Sequence, residues 1–334
     1  NVPGEFTLGM ASNRVLVKEP ISFFKRTIVV NGREEHRTHT AQVIMEGALL
    51  SNISCVVVDW KNVFGNMRNP NAETQWLQEQ KVEGDPIGFP LKEFFPPENL
   101  KIDLGLVEPL LLAEALGIGK SDVGQRLIDF LSGTHYTSIE EAQNALRTLA
   151  PHGEMNTFQI ARVARLLALL TQTYPHLFSG SNPVDEVSKI WFQSVARIGL
   201  VNPSPLDARL QGVMLHTLVK GIFEFHEKRG ISGRMKTLIV IPEAAQLFDF
   251  THRPLLSNAW KELFFRSQQQ DVGFLLSAAH EIDLPKELME GADAKLSVIA
   301  GKDVAISLQG RKNYRVTIRD TYSQRIVKDF FSRV

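Results

Sequence analysis

The residues with the clearest chemical potential lie between Asn31 and Thr38, after a short β-branched run and before an apolar-periodic helix. A strand, a polar loop and a helix in this order are the layout of a phosphate-binding loop, whose pattern is G-x-x-x-x-G-K-[ST]. In that pattern backbone amides surround the phosphates, the lysine neutralises their charge and the hydroxyl holds Mg²⁺. Here the stretch is NGREEHRT, so Arg37 stands at the lysine position and Thr38 at the hydroxyl position.

The other positions of this stretch argue against phosphate binding. Glu35 and His36 occupy the inner positions, where a side chain obstructs positive φ angles and the close approach of the backbone. Two adjacent carboxylates also repel a triphosphate, and the planar guanidinium of Arg37 differs from the point charge of a lysine. An ordinary strand–turn–helix is therefore the simplest interpretation. The alternative is a nucleotide-binding loop that uses Asn31, Gly32, Arg37 and Thr38.

A second chemical candidate is Glu243, which follows the apolar run Leu238 to Ile241 in TLIVIPEAAQLF. Ligands collect at the carboxyl edge of parallel sheets, so a glutamate there is a candidate general base. Pro242 occupies the position at which a nucleotide hydrolase carries the acid that orders Mg²⁺ through water. Capping of the following turn is an equally good role for Glu243.

The triplet Gly119-Lys120-Ser121 also resembles part of a phosphate loop. The preceding LVEPLLLAEALG predicts a helix, whereas a phosphate loop needs a strand before it. We therefore expect Gly117 and Gly119 to end that helix and Ser121 to cap the next one.

Composition limits the function classes. The chain has 334 residues, of which 43% are apolar, with 37 basic and 37 acidic residues. A generally basic nucleic-acid binder is not indicated, and the one local basic stretch, residues 310–328, predicts the solvated face of a strand pair. Apolar runs stay below the roughly 18 residues that span a bilayer.

Because Cys55 is the only cysteine, we expect a reducing compartment, the cytoplasm, and a buried structural role for its thiol. The first residue is Asn, so we expect a piece of a longer chain.

The elements that position these residues are predicted by periodicity. Short apolar runs over residues 14–17, 26–30 and 55–60, with a helix at 40–51, indicate a β-α-β unit with strands buried on both faces. Strand–helix alternation returns after a long helix at about 206–228. We predict an α/β core built from residues 1–104 and 200–334.

Residues 105–199 predict a mainly helical insertion into this core. Ser138 with Glu141 forms a capping-box pattern, Asn156 is a candidate N-cap, and residues 185–200 give a further amphipathic helix. The Pro- and Gly-rich stretch 69–100 is predicted to be a long loop.

The order of the segments resembles the HerA–FtsK superfamily of RecA-like P-loop ATPases over most of residues 5–320. The resemblance is carried by VVVDWKNVFGNM, IPEAAQLF, WKELFFRSQQQDVGFLLSAAHEIDLP and LSVIAGKDVA. It implies a RecA-like core with a mainly parallel sheet. Members of the superfamily are hexameric DNA translocases, related to conjugation ATPases.

The resemblance also implies roles for individual residues. Asp59 ends the strand after the loop and is the candidate Mg²⁺-linked acid, and Glu243 is the candidate water-activating glutamate. The sensor glutamine of the family falls near Ala279, so only His280 can substitute for it, and an ordinary loop histidine is the other interpretation. The arginine-finger candidates are Arg266 and, second, Arg311.

The departures from the family pattern all weaken nucleotide chemistry. We therefore predict a pseudo-ATPase without cofactor or metal, which acts in a DNA translocation, transfer or processing assembly as a homo-oligomer, such as a hexamer, or beside an active ATPase. The alternative is an active but unorthodox ATPase that binds ATP and Mg²⁺ through Arg37, Thr38, Asp59 and Glu243. A third hypothesis is a structural scaffold that never contacts DNA.

Overall fold

The computed structural model describes residues 4–73, 75–149, 156–191, 195–311 and 313–326. In these residues eleven strands form one sheet, in the order β2-β1-β11-β10-β9-β3-β8-β7-β4-β6-β5. The strands are β1 Glu5–Met10, β2 Leu16–Pro20, β3 Arg26–Val30, β4 Ser54–Val58, β5 Leu91–Phe94, β6 Ile198–Val201, β7 Thr237–Ile241, β8 Val272–Ala278, β9 Ala294–Ala300, β10 Asp303–Leu308 and β11 Tyr314–Ile318.

The sheet is parallel from β9 to β5 and antiparallel at its other end. Each neighbouring pair from β9 through β3, β8, β7, β4 and β6 to β5 is parallel, whereas β10, β11, β1 and β2 add antiparallel pairs. This confirms the predicted α/β class with a mainly parallel sheet. The parallel strands end at one edge, which we call the carboxyl edge, and begin at the opposite amino edge.

The central strands are apolar on both faces because helices cover both. Successive residues of β4, such as Val56 and Val57, belong to different core clusters on opposite faces. The α-helices of the described residues are α1 Glu34–Leu50, α2 Gln75–Glu79, α3 Pro109–Ala115, α4 Asp122–Gly133, α5 Ile139–Leu149, α6 Thr157–Thr173, α7 Pro183–Val187, α8 Ala208–Glu227, α9 Pro254–Arg266 and α10 Lys286–Gly291. Helix α1 covers one face, and α3 to α9 contribute to the core on the other. Within the described part of the chain, every helix is too short or too polar to cross a bilayer.

Two predicted elements were wrong. The helix expected over 185–200 ends at Val187, and its last residues form strand β6 instead. All four residues of β6 are buried between β4 and β5, so sheet pairing outweighs the local helical periodicity. The loop expected over 69–100 contains α2 and β5, and β5 pairs with β6. The boundaries proposed for the helical insertion, 105–199, stay a prediction.

The basic stretch near the C-terminus, predicted to be a solvated face, is exposed at Arg311 and Arg315 but buried at its other two arginines. Arg319 is 1% exposed and Arg325 is 6% exposed. Each is buried because it pairs with a buried carboxylate, Arg319 with Glu46 and Arg325 with Asp320. A buried guanidinium needs such a partner, and an alternating sequence pattern does not reveal one.

Ser121 is an N-cap, as predicted, and the Gly119-Lys120-Ser121 triplet lies between two helices rather than after a strand. The Ser121 hydroxyl accepts a hydrogen bond from the amide of Gly124, at 3.0 Å, in the first turn of α4. We expect Ser121→Ala to lower the free energy of unfolding by about 1 kcal/mol, the usual contribution of such a cap. Urea denaturation measures this, with Ser204→Ala, at an exposed serine, as the control. An unchanged stability in Ser121→Ala would contradict the capping role.

Candidate functional site

The turn between β3 and α1 is too short to surround a phosphate. Only residues 31–33 separate the last residue of β3 from the first of α1, so the remaining five positions of the phosphate-loop pattern lie within the helix. Asn31 and Gly32 have φ angles of 65° and 66°. A Cβ at Gly32 would lie 2.5 Å from a methyl group of Val298, so this glycine is required by the tight turn and its packing. The helix expected at 40–51 thus begins six residues earlier, at Glu34.

Arg37, at the lysine position, donates hydrogen bonds to the β3–α1 turn that precedes it. Its side chain is 7% exposed, and Nη1 donates to the carbonyl oxygen of Gly32 at 2.7 Å. A second, longer contact of 3.5 Å joins Nη1 to the carbonyl oxygen of Asn31. The guanidinium therefore stabilises the turn by hydrogen bonds to its backbone. The lysine of a phosphate loop, in contrast, extends toward the bound phosphates.

An ion-pair bridge lies at the carboxyl edge, beside the start of α1. Lys61 contacts the carboxylate of Glu34 and donates to Oε1 of Glu243 at 3.0 Å. Burial alone would lower the pKa of Lys61, but its hydrogen bonds to Glu34 and Glu243 outweigh this and raise the pKa. The bridge joins the first turn of α1, the segment after β4 and the segment after β7.

Glu34 and Glu35 also occupy the electrostatically favoured position for an anion. The amino end of a helix is positively polarised and binds phosphates in many proteins. In this chain two carboxylates lie in the first turn of α1. An incoming phosphate would therefore meet negative charge at the place where it needs the helix amides.

Asp59, the candidate Mg²⁺-linked acid, is 2% exposed and accepts two backbone hydrogen bonds. Its oxygens accept from the amides of Val63 and Phe64, at 3.0 and 2.9 Å, and so shape the loop after β4. Burial raises the pKa of Asp59, and these amides oppose the rise. The carboxylate is thus used in holding its own loop.

Thr38, Asp59 and Glu243 line one small cavity together with Glu34 and Lys61. Its volume is about 20 Å³. A single water molecule needs roughly 10–15 Å³ of such space, whereas small-molecule sites span about 300–1,000 Å³. The sequence placed these groups at one edge correctly, and the structure leaves space among them for a water molecule rather than a nucleotide.

His280 lies at the same edge, after β8. The amide of Asn31 donates to the carbonyl oxygen of Ala279 at 3.1 Å, which places the β3–α1 turn directly beside His280. The His280 side chain is exposed, and its backbone amide donates to Oδ2 of Asp283 at 2.8 Å. The histidine therefore begins a short 3₁₀ turn at the rim of the candidate site.

Arg266 and Arg311 lie at the amino edge, away from these groups. Arg266 ends α9, pairs with Glu227 and lies over the ring of Phe223 at 5.4 Å. Arg311 pairs with Glu19 at 3.2 Å. Neither arginine meets Glu243 within one chain, so a role at a nucleotide site requires a second subunit.

Sequence reasoning missed Glu34 and Lys61 as site residues. Glu34 was visible only as a side chain that disfavours phosphate. Lys61 could have been found from the sequence, since it lies three residues beyond the end of β4 and a cation there must lie near the carboxyl edge. Its two partners are 27 and 182 residues away in the chain, and local patterns do not reveal such pairs.

Comparisons with known proteins give matches among solved structures. No family model matches this sequence. No curated protein matches it either. The structure of VirB4 of Thermoanaerobacter pseudethanolicus matches with a TM-score of 0.68 and 11% identity, over 96% of this chain and 98% of that chain. The plasmid coupling protein TrwB in complex with ADP and Mg²⁺ matches with a TM-score of 0.57 and 8% identity, over 96% of each chain. TrwB in complex with the non-hydrolysable analogue GDPNP matches with a TM-score of 0.58, 9% identity, and coverage of 96% and 91%.

These likenesses define the class to which the fold belongs. The chain has the fold of VirB4 and TrwB, a P-loop NTPase fold. The predicted RecA-like P-loop core is thereby confirmed. At about a tenth of identical residues, the likeness establishes the architecture and leaves the chemistry to be argued from this chain's own side chains.

Proposed function

We propose that this chain is a HerA–FtsK-type domain that neither binds nor hydrolyses ATP at its β3–α1 turn. We further propose that it serves as a structural subunit of a DNA-transfer assembly. The observation that carries the proposal is the Lys61 bridge, whose ammonium group joins Glu34 and Glu243. In a working site of this class, Mg²⁺ and the lysine of the phosphate loop supply the positive charge that the phosphates need.

Three further features of the turn support the proposal. The turn has three residues where a phosphate cradle needs a ring of converging amides. Arg37 donates to the turn itself, and Asp59 holds the loop after β4. Phosphoryl transfer depends almost entirely on positioning and preorganised charge, so the combined loss of cradle, lysine and metal acid should remove nearly all of the rate.

The setting is suggested by the structures that share the fold. TrwB is described as a conjugative coupling protein. We propose a related setting for this chain, a DNA-transfer assembly in the cytoplasm in which the chain is a homo-oligomer, such as a hexamer, or the partner of an active ATPase. In such an assembly Arg266 and Arg311, at the amino edge, are available for contacts with another subunit.

Hydrogen exchange with Mg·ATP tests the proposal at the site itself. We expect exchange rates of residues 31–38 to be the same with and without millimolar Mg·ATP, and phosphate release to stay at background. Arg37→Ala should change neither result, because Arg37 contacts its own turn rather than a ligand. Arg33→Ala, at an exposed position of the same turn, is the matched control.

The unorthodox ATPase is the second candidate, and the same experiment decides between the two. It predicts protection of residues 31–38 by Mg·ATP and phosphate release that disappears in Arg37→Ala and Glu243→Gln. Thr38, Asp59 and Glu243, which line one cavity, favour this candidate. Protection of the turn by Mg·ATP would sink the pseudo-ATPase.

A DNA-binding measurement distinguishes the third hypothesis, a structural scaffold, from a subunit that contacts DNA. Phosphate contacts make affinity fall steeply with salt, so DNA binding that weakens between low and physiological salt supports the DNA-transfer setting. Equal and negligible binding at both salt concentrations supports a scaffold that does not meet DNA.

A further inference from the structure

A cavity of about 980 Å³ lies at the amino edge of the sheet, opposite the Lys61 bridge. Its walls come from residues that precede β3, β4, β6 and β7 and from the end of α8. The volume is at the upper end of the range of small-molecule sites, about 300–1,000 Å³. Lining residues such as Ser22, Asn52 and Arg234 are exposed, so the cavity is open to solvent.

The cavity is positively charged. The cations that line it are Lys25, Arg229, Arg234 and Lys236, and none of the lining residues that the structure describes is acidic. Asp271 lies behind the wall, fully buried, and pairs with Lys236 at 2.7 Å. Four cations thus line the cavity, and the carboxylates that attract them from outside it include Asp271 and Asp293. Burial lowers the pKa of Lys25, against the attraction of Asp271 and Asp293.

The neutral part of the wall combines aromatic rings with hydrogen-bond donors. The rings of Trp191 and Phe225 lie 4.9 Å apart, and the guanidinium of Arg229 lies 3.7 Å from the Phe225 centroid. The indole Nε1 of Trp191 is buried and donates to no group in the described residues. Because this nitrogen is buried, the partly exposed rings of Trp191 and Phe225 are what this part of the wall presents to a ligand.

We propose that this cavity binds a small organic phosphate of nucleotide size that carries at least two negative charges. The cations come from three separate segments, so they can contact more than one anionic group at once, and guanidinium groups suit phosphate oxygens. The aromatic wall formed by Trp191 and Phe225 suits the organic part of such a ligand. The site is distinct from the carboxyl edge and does not depend on the function proposed for it.

Calorimetric titration of the whole chain with ADP and with inorganic tripolyphosphate, both without Mg²⁺, tests the proposal. We expect saturable binding of both probes, with ADP favoured by the aromatic wall. Arg234→Gln removes one cation at an exposed position, and Ser22→Glu adds a negative charge at the rim. Loss of one charged hydrogen bond corresponds to roughly tenfold weaker binding, which we expect for each variant.

The controls localise the effect. Arg33→Gln removes the same charge from the opposite edge of the sheet and should leave both affinities unchanged. Arg37→Ala should also leave both affinities unchanged. ADP binding that depends on Arg234 and not on Arg37 would support this cavity, and it would leave the proposal for the β3–α1 turn unaffected. Absence of saturable binding at millimolar probe overturns the inference. Binding equal in Arg234→Gln and the parent chain, or binding of a single-stranded oligonucleotide with no response to either probe, overturns it as well.

Discussion

Lowering the pH from 7 to 5 is expected to reduce the free energy of unfolding by about 6 kcal/mol, through three buried histidines. His39, His216 and His226 are each 5% exposed or less. Burial lowers the pKa of His39 to about 3 and those of His216 and His226 to about 4. Folding therefore favours their neutral forms.

The sign of the effect follows from proton binding. In the unfolded chain these histidines titrate near their ordinary pKa of about 6.5 and become charged as the pH falls. The folded chain keeps them neutral until the pH reaches their lowered pKa values. Between about 6.5 and 4 the unfolded state thus binds more protons, so stability is complete above 6.5 and is lost as the pH falls. Each histidine contributes about 2 kcal/mol of this loss by pH 5.

The surroundings of His39 and His226 explain why their charged forms are disfavoured. Burial is the main cause at His39 and the cation of Lys302 adds to it, whereas the contact of Nε2 with the carbonyl oxygen of Arg319, at 2.9 Å, opposes the shift. Nε2 of His226 lies 2.9 Å from the hydroxyl of Thr237 and near Lys236, which opposes protonation. Positive neighbours and burial act in the same direction at both sites.

Urea denaturation at several pH values measures the effect. We expect His226→Gln to reduce the slope of stability against pH by about one proton near pH 5. His252→Gln, at an exposed histidine, should leave the slope unchanged. A free energy of unfolding that stays constant from pH 7 to 5 would show that the three rings are not held neutral.

Glu46→Ala is expected to destabilise the chain by about 3–5 kcal/mol, the range for removing one partner of a buried ion pair. Glu46 is fully buried in α1, and Oε2 accepts from Nη1 of Arg319 at 2.7 Å. The same carboxylate accepts from the amides of Tyr322 and Ser323, at 3.0 and 2.8 Å, and from the Ser323 hydroxyl. Its removal leaves the buried guanidinium of Arg319 without its counter-ion and the amides of Tyr322 and Ser323 without this acceptor.

The carboxylate of Glu46 attaches the segment after β11 to α1. We therefore expect Glu46→Ala to raise hydrogen exchange at residues 319–326 in addition to lowering the urea midpoint. Glu35→Ala, at an exposed position of the same helix, is the matched control and should change stability by less than about 0.5 kcal/mol.

A double variant tests the cause. Removing both charges, in Glu46→Leu with Arg319→Met, should recover part of the loss because neither partner is left unpaired. If the double variant lost more stability than the sum of the losses in the two single variants, the ion pair would not be the source of the effect.

The sequence by itself determined the class of the fold and the edge at which the candidate site lies. The runs of β3, β4, β7 and β8 are apolar on both faces, which is the local signature of parallel strands covered by helices. Helix starts were equally local, because a cap contacts amides three residues away. Asn156 accepts from the amide of Gln159 at 2.9 Å, and Gln159 returns the bond, as a capping box requires. The ends of parallel strands meet at one edge, so Asp59, Glu243 and His280 could be grouped before any coordinates.

Only the tertiary structure decided which charges meet and which are buried. Lys61 reaches Glu34 and Glu243, and Arg319 reaches Glu46 across 273 residues of sequence. Such pairs depend on how strands and helices are stacked, whereas periodicity describes one segment at a time. The length of the β3–α1 turn was decided in the same way, because the helix starts where Gly32 fits against Val298 of β9. Ion pairs form between residues that are close in space. The pairing of Lys61 with Glu34 and Glu243 could therefore be identified only from the arrangement of the strand ends in the sheet.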